Sequence, residues 1–329
     1  MLLTSTIIFI LSAVVSVFAA IRLATYADII SKKTKAGGLV AGTVLLAVAT
    51  SLPELTATSS AALIGSADIA MGSGIGSITF NIFVLFLFDI YFRKKRLFLN
   101  VSGNHLYTGL LGIILCLIVM GSLYFDISAS ILTIGLPSIA LGGAYLIGLG
   151  LISTKHQNEL KNEEPEPEQQ PKKDISVKSA VRRFILHSIT VFIAGSALAI
   201  SGDSIVQNSG VSASAMGSLL IAATTSLPDA VGVLVALRMA NANLAIGTIL
   251  GSNAFNISII TVADIFYLKG SIWADASNEH ISTAGTALLL SLVVITILER
   301  KQAKNTLTYL TPSLIVIAGY LIQLSLLLT

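Results

Sequence analysis

Charged side chains are scarce in this sequence. Lys, Arg, Asp and Glu make up 11% of its 329 residues, whereas hydrophobic residues make up 54%. A soluble domain of comparable length carries about a quarter charged residues. This composition excludes a large water-soluble core and predicts an integral membrane protein whose surroundings are the lipid bilayer.

Cysteine, histidine and excess charge are also in short supply. The single cysteine, Cys116, lies in an apolar run and excludes an intrachain disulfide, so we expect a packed helix residue there. The four histidines are scattered, without the Cys/His spacing of a metal site, and the net charge of +3 is too small for a nucleic-acid surface. We therefore expect no cofactor and no nucleic-acid partner.

Ten apolar stretches are long enough to cross a membrane, which takes about 20 apolar residues. Positive charge follows the first stretch, beginning with Arg22, and none precedes it, so this stretch predicts a transmembrane helix rather than a signal peptide. The predicted spans are 3–22, 38–65, 69–91, 104–124, 129–152, 180–202, 212–237, 242–267, 282–299 and 306–328. They form two groups of five, within residues 1–153 and 179–329.

Residues 154–178 separate the two groups and are rich in Glu, Pro and Lys, which predicts a solvated linker. If the N-terminus is outside and the spans alternate, all of the 20 lysines and arginines except Lys269 fall on the cytoplasmic side. This distribution follows the positive-inside rule. It predicts extracellular termini and a cytoplasmic linker in a plasma membrane.

An internal repeat relates the two groups at an offset of 175 residues. Between 42–92 and 217–267, about a third of the positions are identical without a gap. The strings that match are Thr50-Ser51-Leu52-Pro53 with Thr225-Ser226-Leu227-Pro228, and Phe80-Asn81-Ile82 with Phe255-Asn256-Ile257. Because each group has an odd number of spans, equivalent helices cross the membrane in opposite directions, as in secondary transporters with a midplane site.

Two acids occupy matched places in this repeat. Glu54 lies near the middle of the second span and Asp229 near the middle of the seventh. A charge at that depth is expensive and is functional by default. A structural ion pair is the alternative, but no Lys or Arg lies within either half-helix.

A proline precedes each acid and should break the helical hydrogen-bond ladder. Pro53 would free backbone carbonyls near Ala47 and Ala49, and Pro228 those near Ala222 and Thr224. Hydroxyl groups cluster at both breaks, namely those of Thr50, Ser51, Thr225 and Ser226. Carbonyls, hydroxyls and carboxylates are the ligands of a hard cation.

The predicted fold is therefore an all-α integral membrane protein. It has ten transmembrane helices in two inverted five-helix repeats, with the second and seventh helices broken.

The third and eighth spans carry a second matched set of polar residues. Asn81 and Asn256 lie near mid-membrane, and Ser77 and Ser252 precede them by one helical turn. These side chains are either ion ligands or interhelical hydrogen-bond partners. Small-xxx-small patterns at Gly72/Gly76 and Gly247/Gly251 predict close helix packing.

The halves are not equal, because Glu54 is matched with Asp229 and Ile78 with Asn253. We therefore expect a lopsided ion site on a nearly symmetric scaffold. A third matched pair, Asp89 and Asp264, lies at the predicted interfaces, where anchoring or an ion entrance is expected.

These segments resemble the alpha repeats of the cation/calcium exchanger superfamily. The strings that carry the resemblance are Ala-Thr-Ser-Leu-Pro-Glu (49–54), Gly-Ser-Ile-Thr-Phe-Asn (76–81), Thr-Thr-Ser-Leu-Pro-Asp (224–229) and Gly-Ser-Asn-Ala-Phe-Asn (251–256). The resemblance implies exchange of Ca²⁺ for Na⁺ or H⁺ by alternating access. It implies a central calcium site at Glu54 and Asp229, with the carbonyls of Ala47 and Ala222 and the side chains of Thr50 and Thr225. Flanking sodium sites would involve Ser51, Ser77, Asn81, Ser226, Ser252 and Asn256.

The branch of the family follows from two positions. The acids follow Ser-Leu-Pro, as in sodium-coupled branches, and Asn256 stands where potassium-dependent exchangers usually carry Asp. The chain is therefore expected to be a potassium-independent sodium/calcium exchanger. Separately, we expect a prokaryotic protein that functions as a monomer. It departs from the family pattern at Ser73, Ile78 and Thr248.

Three other functions stay open: a proton-driven or differently selective divalent-cation antiporter of the same fold, a cation channel, and an intramembrane aspartyl protease. We do not expect an enzyme, because the Thr-Ser-Leu-Pro settings and the paired asparagines do not suit a catalytic dyad. Two carboxylates give the site a charge of about −2, which one Ca²⁺ neutralises. Protons should compete with cations for these carboxylates.

Overall fold

The fold is built from long helices. A computed structural model describes the backbone of residues 1–33, 39–160, 175–239, 241–300, 302 and 305–328, and the side chains in these ranges except those of 31–33, 39–48, 95, 100 and 155–160. The first half contains α1 (Leu2–Lys33), α2 (Leu39–Leu63), α3 (Ala67–Tyr91), α4 (His105–Tyr124), a small hairpin of β1 (Ser130–Ile131) and β2 (Ile134–Gly135), and α5 (Leu136–Leu160). The second half contains α6 (Val177–Ser209), α7 (Ala213–Ala215), a π-helical segment (Met216–Ile221), α8 (Ala222–Arg238), α9 (Ala242–Phe266), α10 (Ile272–Asp275), α11 (Glu279–Leu298) and α12 (Thr306–Leu328).

Nine helical segments within the described residues are long and apolar enough to cross a membrane. They overlap nine of the ten predicted spans, but the predicted start of the fifth at residue 129 is wrong, because the chain forms the β1–β2 hairpin before α5 begins at Leu136. The remaining prediction, 38–65, corresponds to α2, part of whose side chains lie outside the described residues. The all-α membrane fold is confirmed, and the count of ten spans stays a prediction.

The longest helices exceed their predicted bounds. The first span does not end at residue 22, because α1 continues to Lys33, and α6 covers Val177–Ser209 rather than 180–202. A helix of this length rises about 50 Å, more than the ~30 Å hydrocarbon layer. The two helices pack along each other, and near the end of the pair the guanidinium of Arg183 donates to the Tyr26 hydroxyl at 3.2 Å. This mutual packing extends both helices beyond the apolar run that the prediction followed.

The predicted helix breaks are not seen at the prolines themselves. Helix α2 runs through Pro53 and α8 through Pro228 without interruption. The departure from α-helical geometry lies earlier, in the π-helical segment Met216–Ile221. There the Thr225 hydroxyl donates to the Ile221 carbonyl at 3.1 Å. A proline removes only one N–H from the ladder, so neighbouring bonds and packing keep each helix continuous.

Helix α3 occupies the centre of the bundle, and α5 lies at its edge. In their most apolar windows, 78% of α3 residues are buried but only 17% of α5 residues are. Helix α3 packs against α2, α8, α9, α11 and α12. The polar residues of α3 are therefore shielded from lipid, whereas α5 presents its side chains to lipid.

Helix α3 meets the π-helical segment at backbone-to-backbone distance. A Cβ atom at Gly72 would lie 2.8 Å from the backbone nitrogen of Ser218, and one at Gly76 would overlap the Ser218 backbone. The predicted close packing is confirmed here. It is wrong for Gly251, the repeat mate of Gly76, where a Cβ would meet nothing within 4 Å among the described residues, whereas a Cβ at Gly247 would lie 2.9 Å from the His105 ring. The inverted halves therefore do not pack alike.

Two buried acids hold the ends of the central helices. Asp89 accepts hydrogen bonds from the hydroxyl groups of Tyr309 and Ser313 of α12, the latter at 2.7 Å. Asp264 accepts from the backbone N–H of Gly135 at 2.7 Å and of Ile272 at 2.6 Å. These contacts support the anchoring interpretation for both acids.

Replacing Asp264 by Asn is expected to destabilise the protein. The amide would present an NH₂ group where one backbone N–H now has an acceptor, and an unsatisfied buried donor costs about 1–3 kcal/mol. We expect a lower melting temperature in detergent. Asp126→Asn is the control, because Asp126 is exposed and has φ +50, a conformation that Asn tolerates. Equal melting temperatures for the two variants would show that Asp264 does not anchor the β1–β2 hairpin and the start of α10.

Candidate cation site

The two acids of the repeat are buried together. Glu54 on α2 and Asp229 on α8 are each 1% exposed. Their carboxylates lie close enough to repel each other. Neither forms an ion pair with a Lys, Arg or His in the part of the chain that the structure describes. The structure thus places two acidic groups in one enclosed, low-dielectric site, where a cation would compensate their negative charge.

Each half of the chain contributes donors to the acid of the other half. The Ser226 hydroxyl on α8 donates to Glu54 Oε1 at 2.9 Å. The Asn81 amide on α3 donates to Asp229 Oδ2 at 3.5 Å, and the Ser252 hydroxyl on α9 donates to the same oxygen. The site therefore spans the interface between the two halves.

The amide nitrogens of both asparagines are already engaged. Asn81 Nδ2 also donates to Asn253 Oδ1 at 3.1 Å, and Asn256 Nδ2 donates to Ser252 Oγ at 3.4 Å. This leaves the amide oxygens of Asn81 and Asn256 for another partner.

Four buried oxygens at this site have no hydrogen-bond donor among the described residues: Glu54 Oε2, Asp229 Oδ1, Asn81 Oδ1 and Asn256 Oδ1. Buried polar atoms without a partner are rare, and each is destabilising by about 1–3 kcal/mol. Two carboxylate and two amide oxygens form the donor set that Ca²⁺ or Na⁺ prefers.

The other predicted ligands lie on the same helices. Ser51 is buried and Thr50 is partly buried on α2, one turn or less before Glu54. The Ser77 hydroxyl donates to the Ser73 carbonyl at 2.9 Å, so its lone pairs stay free to accept. Thr225 Oγ1 lies 3.3 Å from the carbonyl oxygen of Ala222, which is one turn earlier in α8. Ala47 lies within α2, and its side chain is outside the described part of the chain.

Asn253 is a site residue that the sequence-based ligand set omits. Its side chain is 4% exposed and its oxygen accepts from Asn81. The sequence did contain a signal for Asn253. Its repeat mate is Ile78, so at this matched position only the second half supplies an amide. Within the described residues the hydrogen bonds show the expected asymmetry: Asp229 accepts from two side chains and Glu54 from one.

No group of three or more His, Cys, Asp and Glu side chains suited to a metal ion occurs in the described ranges. The site combines two carboxylates with neutral oxygens only. Such a set lacks the soft ligands of transition metals. Its chemistry suits reversible binding of hard cations.

Comparisons with known proteins show which family the sequence matches. The profile of the family described as "Sodium/calcium exchanger protein" matches residues 4–152 and 180–329. The chain is 25% identical over 300 residues to "Putative antiporter CaxA" of Alkalimonas amylolytica, covering 88% of this chain and 89% of the relative. It is 24% identical over 295 residues to "Inner membrane protein YrbG" of Escherichia coli, covering 89% and 88%.

Two solved structures share the fold. One is the sodium-calcium exchanger NCX_Mj, with a TM-score of 0.59, 20% identity and 99% of both chains covered. The other is the H⁺/Ca²⁺ exchanger CAX, with a TM-score of 0.64, 16% identity, and 98% of this chain and 87% of that chain covered. At these identities the likeness concerns the fold.

Proposed function

Because the chain belongs to the sodium/calcium exchanger protein family, we propose that it exchanges Na⁺ for Ca²⁺ across a membrane by alternating access, without a requirement for K⁺. The observation that carries this proposal is the set of four unpartnered oxygens around Glu54 and Asp229. One Ca²⁺ neutralises both carboxylates, and Na⁺ can use the same oxygens in turn because the two ions prefer similar oxygen cages. Competition for one set of ligands is a physical route to exchange.

In this proposal the central calcium ligands are Glu54 and Asp229. The contributing residues are Thr50, Thr225 and the carbonyls of Ala47 and Ala222 for calcium, and Ser51, Ser77, Asn81, Ser226, Ser252 and Asn256 for flanking sodium ions. Asn253 would orient the Asn81 amide so that its oxygen faces the ions. The N-terminus would lie outside the cell, and the linker 154–178 in the cytoplasm.

The placement of the site supports alternating access. Both carboxylates are buried and their hydrogen bonds cross between the halves. A relative movement of the halves would therefore change which side the site faces without separating the ligands by much. A channel would instead need a continuous open path past the two acids.

A proton-driven calcium antiporter is the second candidate. The observation that favours it is the pair of buried carboxylates that repel each other, because protons can neutralise them when calcium leaves. The likeness of fold to the H⁺/Ca²⁺ exchanger CAX is compatible with either coupling ion.

Proteoliposomes separate these functions. An outward sodium gradient is expected to drive uptake of radioactive calcium in the absence of K⁺, and an outward proton gradient alone is expected to drive little. The reverse pattern would replace sodium by proton coupling. Calcium flux that continues with no counter-ion on the opposite side would indicate a channel.

A further inference from the structure

A run of four basic residues, Arg93 to Arg96, directly follows α3. The side chains of Arg93, Lys94 and Arg96 are exposed, and the structure records no hydrogen bond or ion pair for them in the described part of the chain. By contrast, Arg300 donates to the carbonyls of Gln302 and Thr308, both at 2.9 Å. The charged groups of these three side chains are therefore available to a ligand rather than engaged in contacts between the described helices.

The run is fixed to the protein rather than carried on a free loop. Residues Arg93–Lys95 form a 3-10 turn, and Arg96 takes the left-handed conformation with φ +46. This conformation is uncommon for a residue other than glycine. It turns the chain back so that Leu97 and Phe98 are buried. The ring of Phe98 stacks on that of Phe86 of α3, with 5.0 Å between the ring centroids. The cations are therefore presented from a constrained turn.

A cavity of about 530 Å³ lies beside this turn, lined by Ile90, Tyr91, Phe92, Arg93 and Lys94. Its wall changes from apolar and aromatic to cationic along the chain. Tyr91 is the last residue of α3 and is 76% exposed, which is typical of an aromatic residue at a membrane–water interface. An amphipathic molecule with an anionic end matches this change of character.

We propose that the turn binds the phosphate headgroup of an anionic phospholipid. Arg93, Lys94 and Arg96 would contact the phosphate, and the apolar wall at Ile90 and Phe92 would contact the start of an acyl chain. Basic clusters next to a transmembrane helix attract anionic lipid, and each residue contributes roughly a fivefold factor to affinity. The positive-inside rule accounts for the presence of basic residues on this side of the membrane. It does not account for a cavity beside them. The equivalent residues of the second half, Leu268 to Ser271, contain one cation.

The test titrates the detergent-purified full chain with phosphatidylglycerol or phosphatidylcholine and measures bound lipid by native mass spectrometry. Phosphatidylglycerol is expected to bind more tightly. The variant R93Q/K94Q/R96Q should bind it on the order of a hundredfold more weakly. The double variant R93Q/K94Q leaves the left-handed residue intact and should lose about 25-fold. The variant K178Q/R182Q/R238Q is the matched control, since it also removes three exposed cations from the predicted cytoplasmic side but none beside the cavity.

The proposal is overturned if the two triple variants weaken binding equally, because the effect would then be general surface charge. It is also overturned if phosphatidylcholine binds as well as phosphatidylglycerol. Inorganic phosphate and glycerol 3-phosphate are added as competitors: full competition at equal concentration would indicate a free-anion site. The readout is binding without an ion gradient, so its result is independent of the coupling ion proposed above.

Discussion

Replacing Glu54 by Gln is expected to abolish calcium transport. The substitution keeps the size of the side chain but removes one of two charges that a divalent ion would neutralise, and it replaces one of the carboxylate oxygens by an NH₂ group. Removal of one partner from a buried ion pair, here the pair that Glu54 would form with a bound Ca²⁺, costs about 3–5 kcal/mol. For ion binding this corresponds to a loss of affinity of at least about a hundredfold.

Calcium uptake into proteoliposomes measures the loss of transport, and the rise of melting temperature with added calcium measures the loss of affinity. Both should be lost in Glu54→Gln. Glu279→Gln is the matched control, because Glu279 is an exposed acid at the start of α11 and should leave both unchanged. If the Glu54→Gln variant still transports calcium, Glu54 is not a ligand of the central calcium site.

Replacing Gly76 by Ala is expected to destabilise the protein and reduce transport strongly. The new methyl group would overlap the backbone of Ser218 in the π-helical segment, and backbone atoms cannot rotate away as a side chain can. Overpacking of a close contact costs about 1–3 kcal/mol. Separation of α3 from this segment would also disturb the register between the Asn81 helix and the Asp229 helix.

The repeat mate supplies the control for this prediction. Gly251→Ala adds the same methyl group where nothing lies within 4 Å among the described residues. Since Ala is a better helix former than Gly by about 1 kcal/mol, this variant should be as stable as the parent or slightly more so. Melting temperatures in one detergent compare the two. A similar change in both variants would argue against backbone contact between α3 and the π-helical segment.

The asymmetry between the halves has a functional consequence under the exchange proposal. Among the described side chains, Asn81 and Ser252 donate to Asp229, whereas Ser226 donates to Glu54. The longer side chain of Glu54, with fewer donors, is freer to adjust to ions of different charge. An inverted repeat thus supplies the scaffold, and differences at matched positions make the site lopsided.

Much of the fold was predictable because the bilayer imposes it on the sequence. Apolar length determines where a chain can cross, so α3, α9 and α12 lie within a few residues of their predicted spans. The placement of Glu54 and Asp229 followed from the repeat and from the expense of a charge at mid-membrane. The bounds of α1 and α6 could not be found this way, since they depend on the contact between the two helices.

The sequence alone determined the membrane-embedded class, the repeat and the identity of the two acids. Each of these depends on composition, spacing or matched positions along one chain, and the physical constraint behind each is the cost of polar groups in lipid. The tertiary structure decided which donors engage each acid, that Asn253 joins the site, and that Gly76 but not Gly251 faces a backbone. These features depend on which helix surfaces meet, and apolar helices of similar composition can meet in many ways. The pair of acids was therefore readable from the sequence, whereas the four free oxygens that make it a candidate cation site appear only when the helices are packed.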